Sequence, residues 1–391
     1  MHDSPVITGC GVVGPAGLGT QRLWQAAQSG RSLIGPLPDS LRDRLPIRLA
    51  GVVPPDVESK LCWPEFRVAS LMALAADEAI AAAGWDAAAC RDDQTAMCGA
   101  TSKGDPAVIL ATRSGRHSAE RFLAGWPNGP GRMLANRLGI GGPLICPVAA
   151  CATGTHALVR AAQMIRDGDA RRVLVVAGDA SLSPLLTAAF ANMGVLTDDA
   201  CRPFDAGRSG FAVAEGAAAV TLESSRHAIG RAIVDVTGWL IGGDPTGLTA
   251  QDATGGVLAE SIRILLRRAR LDAVEVSLYS AHGTATRLND VAEAAAMRSV
   301  FAGADSQPAA FAGKAIFGHL LGAAGLTEVV LSILAAAHQS IPPTVTLRTL
   351  DPACDGVRLV ARVEPARIEN VLCVSLGFGG QIGLLAMRYT G

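Results

Sequence analysis

Two successive runs of alternating strand-like and helix-like segments govern what this chain can fold into, and the second run repeats the plan of the first. In the first run, Val6–Val13, Thr95–Ala100, Pro143–Val148, Arg172–Asp179 and Ala217–Leu222 are apolar stretches that read as buried strands. Helical spacing fills Thr20–Ser29, Phe66–Ala83, residues 117–139 and a segment through Leu158, Ala161, Ala162 and Ile165, with Gly30 and Gly84 as stops. From Ala232 the pattern begins again. Strands are expected at Ile233–Val236, Val276–Ala281, Ala309–Ala312, Val357–Ala361, Val371–Ser375 and Ile382–Met387, and helices at Val257–Arg270, Asp290–Val300 and Ala323–Gln339. Strands that are apolar on both faces must be covered on both faces. The expectation is therefore an α/β fold of two similar fused halves, 1–228 and 229–391, with a linker at His227–Arg231.

Composition narrows the function classes. Hydrophobic residues make up 49% and charged residues 18%, which suits a compact enzyme with a large subunit interface. A net charge of −1 gives no field to gather nucleic acid or an anionic membrane. No 18-residue apolar run is long enough to span a bilayer. Met1–Pro5 has no basic segment leading into an apolar core, so no secretion signal is expected. The nine cysteines include no CxxC pair, which argues against a disulfide framework or zinc ribbon and for a reducing cytoplasm. No His/Cys/Asp/Glu group has metal-ligand spacing, so no metal is expected.

Chemistry points to Pro147–Thr155. A strand that turns into a helix here places Cys151 at or near a helix N-terminus, where unpaired N–H groups and the helix dipole favour a thiolate. Small neighbours leave room for a substrate carbonyl. Two histidines lie in comparable small-residue turns. His282 follows a predicted strand in Ser280–Thr286, and His319 lies in Gly313–Gly325 just before an apolar helix. Lys314 stands five residues before His319 and would pair with a buried carboxylate, Glu328 being the natural candidate. The loop Ser375–Gly380 follows an apolar strand, and its glycines allow close backbone approach. A thiolate that holds an acyl group, with two imidazoles donating to one carbonyl oxygen, suits acyl transfer followed by carbon–carbon bond formation. His156 reads as a packing residue, and His2, His117, His227 and His338 lie in terminal, polar or helical stretches. A GxG at Gly9 and Gly11 lacks the third glycine of a nucleotide fingerprint. The Thr101–Pro106 loop is placed to approach a ligand, and residues 117–139 to cap a pocket or join a dimer interface.

Taken together these motifs resemble the elongating β-ketoacyl-[acyl carrier protein] synthases, condensing enzymes of the thiolase-fold superfamily. The resemblance runs nearly end to end. It rests on Ala150–Gly154, Arg202–Asp205 with Arg208 and Glu215–Gly216, Ala281–Thr284 with Thr286 and Asp290, Lys314 with Gly318–His319 and Gly322–Gly325, Glu328, and Gly377–Gly380. It implies a five-layered αβαβα thiolase fold acting on acyl- and malonyl-loaded acyl carrier protein. It implies a cytoplasmic homodimer, with a heterodimer of related subunits left open, and no metal or organic cofactor. By residue, Cys151 would carry the acyl chain, and His282 and His319 would promote malonyl decarboxylation and stabilise the enolate. Lys314 and Glu328 would order the site. The N–H groups of Cys151 and Phe378 would form the oxyanion hole, Phe378 would also gate, and Thr284, Thr286 and Gly379 would bind substrate. The chain departs from the family's usual pattern at Arg287 and Asn289, where proline and glycine are usual. Leu376 and Gln381–Ile382 also differ, as do Lys103 and Asp105 in a loop that is usually glycine-rich. Around Trp63–Glu65 the basic pair that some relatives use for carrier docking is missing. Other readings are a chain-length-determining partner subunit, which typically lacks the cysteine, and a thiolase, whose second cysteine Cys373 would have to supply. A starter-type Cys–His–Asn synthase is disfavoured by His319.

Overall fold

The computed structural model describes residues 3–112, 118–228, 232–249, 251–302 and 307–391. His2, His117 and the 229–231 part of the expected linker lie outside the described residues. The principal strands are β1 (Pro5–Gly14), β2 (Thr95–Ala100), β3 (Leu144–Ile145), β4 (Arg172–Ala180), β5 (Glu215–Ser224), β6 (Val234–Gly243), β7 (Val276–Ser280), β8 (Ala309–Phe311), β9 (Asn370–Gly377) and β10 (Gln381–Tyr389). Their hydrogen-bonded order is β8-β7-β9-β10-β6-β1-β5-β4-β2-β3. Outward from β6 the strands run β10, β9, β7, β8; outward from β1 they run β5, β4, β2, β3. Both halves thus follow one order, first-fifth-fourth-second-third. The senses of pairing match too: β2 is parallel to β3 and β4, β7 is parallel to β8 and β9, and the other neighbours are antiparallel. The halves join through a short antiparallel contact, Val6 opposite Asp235 and Ile7 opposite Val234.

Helices lie in three layers. Between the two half-sheets pack α2 (Thr153–Asp167) and α6 (Ala324–Ala337), whose Leu158, Ala161, Ile165, Val329, Val330 and Ile333 share one core with β1, β4, β5 and β9. Outside the first half, α1 (Arg67–Ala83) buries Leu71, Met72 and Ala75. Outside the second, α4 (Gly256–Ala269) and α5 (Arg287–Val300) bury Ile262, Leu265 and Met297. The result is the expected five-layered αβαβα arrangement of two similar halves, with buried strands carrying continuous apolar runs.

Gly9 and Gly11 belong to this packing and bind no phosphate loop. A Cβ on Gly11 would lie 2.0 Å from the Ala75 carbonyl oxygen and one on Gly9 2.3 Å from that of Ala79, so bare backbone lets α1 settle onto β1.

Two expected strands are corrected. Pro143–Val148 forms ladder pairs at Leu144 and Ile145 alone, at the open edge of the sheet, with Val148 52% exposed. Val357–Ala361 is not a strand but a crossing segment, with one bridge between Leu359 and Ala310 beyond the three-residue edge strand β8. The helical region after residue 117 is two helices, Ala119–Ala124 and Gly129–Leu138. An unexpected helix, α3 (Pro184–Asn192), starts on a Ser183 cap.

Candidate active site

The Cys151 turn is built from short side chains. Ala150 takes a left-handed φ of 47°, Ala150–Ala152 form one 3-10 turn, and Thr153 opens α2. Such a backbone costs on the order of 1–3 kcal/mol outside glycine and persists where its surroundings hold it. Here the Thr153 hydroxyl accepts from Ala149 N–H at 2.8 Å and donates to the Ala150 carbonyl at 2.7 Å. The Cys151 sulfur therefore sits over the first turn of a 15-residue helix.

His319 reaches the sulfur from the other half. Its Nε2 is 3.1 Å from Cys151 Sγ. Its backbone bonds to both neighbours, N–H to Ala212 at 2.8 Å and carbonyl to Ala214 N–H at 2.9 Å. Phe211 packs edge-on against the ring at 4.9 Å. The Leu321 N–H donates to His319 Nδ1 at 3.2 Å. An Nδ1 that accepts leaves the proton of the neutral ring on Nε2, facing the sulfur.

His282 stands beyond the C-terminal end of β7, its ring centre 5.8 Å from that of His319 and nearly perpendicular to it. Glu293 anchors its turn, accepting from the N–H groups of His282 at 2.8 Å and Gly283 at 2.9 Å. Fully buried Lys314 lies 3.3 Å from His282 Nδ1, donates to the His282 carbonyl at 2.5 Å and pairs with Glu328 Oε1 at 2.7 Å. The ammonium occupies the Nδ1 side of His282, so this neutral ring also carries its proton on Nε2.

Burial dominates the electrostatics. It holds both imidazoles well below the ordinary histidine pKa, with Lys314 adding to the effect on each. It raises the carboxyls of Glu293 and Glu328 to about 7, against the pull of their hydrogen-bond donors and of Lys314. Position on a helix N-terminus favours a Cys151 thiolate, yet burial is the larger influence: it pushes the thiol up to about 11, opposed by Lys103 and then Lys314. The sulfur does not rest as a free thiolate, and positive groups around it hold the shift in check.

A cavity of about 690 Å³ opens onto this centre. Cys151, His282, His319, Thr284, Thr286 and Phe378 all line it. The hydroxyls of Thr284 and Thr286 are 2.8 Å apart. Gly379 is exposed beside Gly380, which does line the cavity. Lys314 and Glu328 stand behind His282, outside the lining. A Cβ on Gly377 would meet Ala149 O at 2.7 Å and Cys151 N at 3.2 Å, so the C-terminal loop lies against the Cys151 turn. Cys373 lies buried within β9, 3.5 Å from Ser332 Oγ, and does not line the cavity. His156 is buried on α2 with Nε2 3.1 Å from the Ile382 carbonyl, and His338 stacks on Trp24 at 4.6 Å.

Sequence reasoning missed Glu293 and Asp179. Their signal lies in carboxylates within otherwise small or apolar segments. Asn289, seen beforehand as a departure, lines the cavity; its amide N–H₂ faces Asp290 and Glu293, and its Oδ1 is buried without a partner. Among the described residues no group of His, Cys, Asp and Glu is arranged to hold a metal, and no helix is long and apolar enough to cross a membrane.

Comparison with known proteins agrees with this geometry. Residues 3–228 match the family model "Beta-ketoacyl synthase, N-terminal domain" and residues 214–348 match "Beta-ketoacyl synthase, C-terminal domain". The chain is 30% identical to 3-oxoacyl-[acyl-carrier-protein] synthase 2 of Coxiella burnetii, over 98% of this chain and 97% of that one. It is 31% identical to nodulation protein E of Rhizobium meliloti, over 99% and 100% of the two chains. A solved ketosynthase bound to a hexaketide, in complex with its type II polyketide acyl-carrier protein, superposes with a TM-score of 0.90 at 26% identity over 100% of both chains. A beta-ketoacyl synthase of Burkholderia phymatum gives 0.89 at 27%, again over 100% of both.

Proposed function

Since the chain belongs to the beta-ketoacyl synthase family, and is a condensing acyltransferase of fatty acid or polyketide biosynthesis, we propose that Cys151, His282 and His319 are the groups that carry out its reaction. The observation behind this is the sulfur 3.1 Å from one imidazole, with a second ring 5.8 Å from the first, all on one cavity.

In the first half-reaction the Cys151 sulfur gives up its proton, attacks the thioester carbon of an acyl-loaded carrier protein and forms an acyl–Sγ bond. The carrier's thiolate leaves and takes a proton. In the second, a malonyl thioester on the carrier occupies the same cavity. Its carboxylate leaves as carbon dioxide, and the electron pair moves into the thioester as an enolate. The Nε2–H groups of His282 and His319 donate to that enolate oxygen, a positive edge aimed at developing charge. The enolate carbon attacks the acyl carbonyl, and the N–H groups of Cys151 and Phe378 receive the oxyanion. The sulfur then leaves as thiolate and takes up one proton from solvent to restore the thiol, and the β-ketoacyl chain departs on the carrier.

Lys314, held by Glu328, keeps His282 neutral and fixes its tautomer. Thr284, Thr286 and Gly379 line or rim the approach for the carrier's arm, and Phe378 gates between the two half-reactions. The protein partner is an acyl carrier protein, the kind of protein seen bound to the ketosynthase neighbour. The halves divide at 1–228 and 229–391. The enzyme works as a cytoplasmic homodimer, for which the open edge strand β3 and exposed Phe122, Leu123, Trp126 and Val148 supply an apolar surface. A sulfur this close to His319 weighs against a non-catalytic chain-length partner.

Replacing Cys151 with alanine tests the reading. Intact-protein mass spectrometry should show acyl loading on the native chain and none on Cys151→Ala. Equal loading would refute the assignment.

A further inference from the structure

Behind the catalytic turn lies a charged cluster outside the residues so far given roles. Asp179, at the end of β4 and fully buried, accepts from the hydroxyls of Ser102 and Ser181 and from Lys103 Nζ at 2.9 Å. The same Lys103 ammonium donates to Ser181 Oγ at 3.0 Å and to Ser102. Asp179 Oδ2 also accepts from the N–H of Gly322 at 3.2 Å. Gly322 follows Leu321, which has a left-handed φ of 48° and whose N–H holds His319 Nδ1. A continuous path therefore runs from Lys103 through Asp179, Gly322 N–H and Leu321 N–H to His319, and across Nε2 to the Cys151 sulfur. The fit is close: a Cβ on Gly322 would come within 2.6 Å of Ser102 N.

We propose that Lys103 and Asp179 are a positioning couple for the condensation, the carboxylate fixing the strained turn that sets the His319 tautomer and the ammonium countering that carboxylate's charge behind the Cys151 turn. Neither residue lines the cavity. Asp179 alone would put an uncompensated negative charge next to the nucleophile, and the lysine turns that penalty into a net pull toward thiolate. Lys103 stands ahead of Lys314 among the charges acting on the thiol, and it also disfavours protonation of His319. The other charged groups acting on the sulfur are Lys314 and Glu328, beside the two neutral imidazoles, and Asp105 on the Lys103 loop feels the charge of Asp179.

The proposal rests on Cys151 being the nucleophile, but its first assay needs no acyl loading, so the two can fail separately. The rate of Cys151 alkylation by iodoacetamide at a fixed pH near 8, read peptide by peptide by mass, reports the thiolate fraction. Lys103→Met should slow that alkylation about tenfold, the equivalent of about one pH unit, and Lys103→Arg should restore it. Lys103→Met strands a buried carboxylate and risks misfolding, so Lys103→Met/Asp179→Asn, which removes both charges, is the second variant. It should fold, alkylate more slowly than the native chain but faster than Lys103→Met, and show kcat for condensation lowered at least severalfold at unchanged KM. A Lys103→Met alkylation rate equal to wild type, a double variant with native kcat, or a fall in melting temperature with neither effect would reduce the couple to a structural strut and overturn the proposal.

Discussion

Side chain by side chain, the site relies on neutral rings. A proton added to His282 would meet Lys314, and one added to His319 Nδ1 would meet the Leu321 N–H, so charging either ring breaks its seat. Both pKa values lie well below 6.5. Carbon dioxide release from malonyl-carrier protein should accordingly hold its rate from about pH 8 to about pH 6 and fall only in stronger acid. An acid limb centred on the ordinary histidine value in the native enzyme would contradict this. Lys314→Met should move the acid limb to higher pH, because His282 loses the charge that opposes its protonation. That variant also leaves Glu328 without its cation. Breaking a buried pair typically costs about 3–5 kcal/mol, but a carboxyl already pushed up to about 7 can escape by protonating. The sign follows: a carboxyl raised in the fold above its unfolded value of 4.5 loses stability as pH climbs between the two. Lys314→Met should therefore melt lower at pH 9 than at pH 6, which calorimetry at the two pH values would show. At this scale Cys151, the two histidines and the Lys314–Glu328 partnership were readable from residue type and small-residue context. The height of the thiol pKa was not, because a helix start is visible in sequence and the burial above it is not. Nor was the orphan Oδ1 of Asn289, which depends on Asp290 and Glu293 both claiming the amide nitrogen.

Among the elements, strands were legible wherever both faces are covered. β1, β2, β4, β5 and β9 are buried along nearly their whole length, with the middle helices on one side and α1, or α4 and α5 for β9, on the other. The misreadings fall at the sheet's two margins. Pro143–Val148 and Val357–Ala361 are apolar enough for strands, but the first leaves its six-residue neighbour β2 after two pairs and the second lies past the three-residue β8. α3 escaped notice because it has no single buried face; Thr187 is its one buried residue and Leu185 is 58% exposed, although Ser183–Pro184 is a sound helix start. The glycines of β1 were rightly set aside as nucleotide chemistry, but their packing role was hidden for want of the helix that needs them. Gly11→Ala should lower the melting temperature, with a cost of about 1–3 kcal/mol for an overpacked contact. Thermal denaturation would check this, and an unchanged melting point would mean that α1 is free to move away.

For the whole molecule, the exposed apolar side chains of the first half predict self-association. Val148→Asp should shift the native mass found by light scattering from dimer toward monomer, and a native chain that runs as a monomer at micromolar concentration would disprove the homodimer. The repeated strand order has a deeper outcome. Ala150 and Leu321, at φ 47° and 48°, open matching 3-10 turns, Ala150–Ala152 and Leu321–Ala323, and each turn leads into a middle helix. Cys151 and Gly322 are thus counterparts, and an ancestral duplication would have offered two seats for a nucleophile. The second seat is closed to any side chain by Ser102, so only one of the two turns carries a thiol, and its twin survives as the bracket for the ring beside that sulfur.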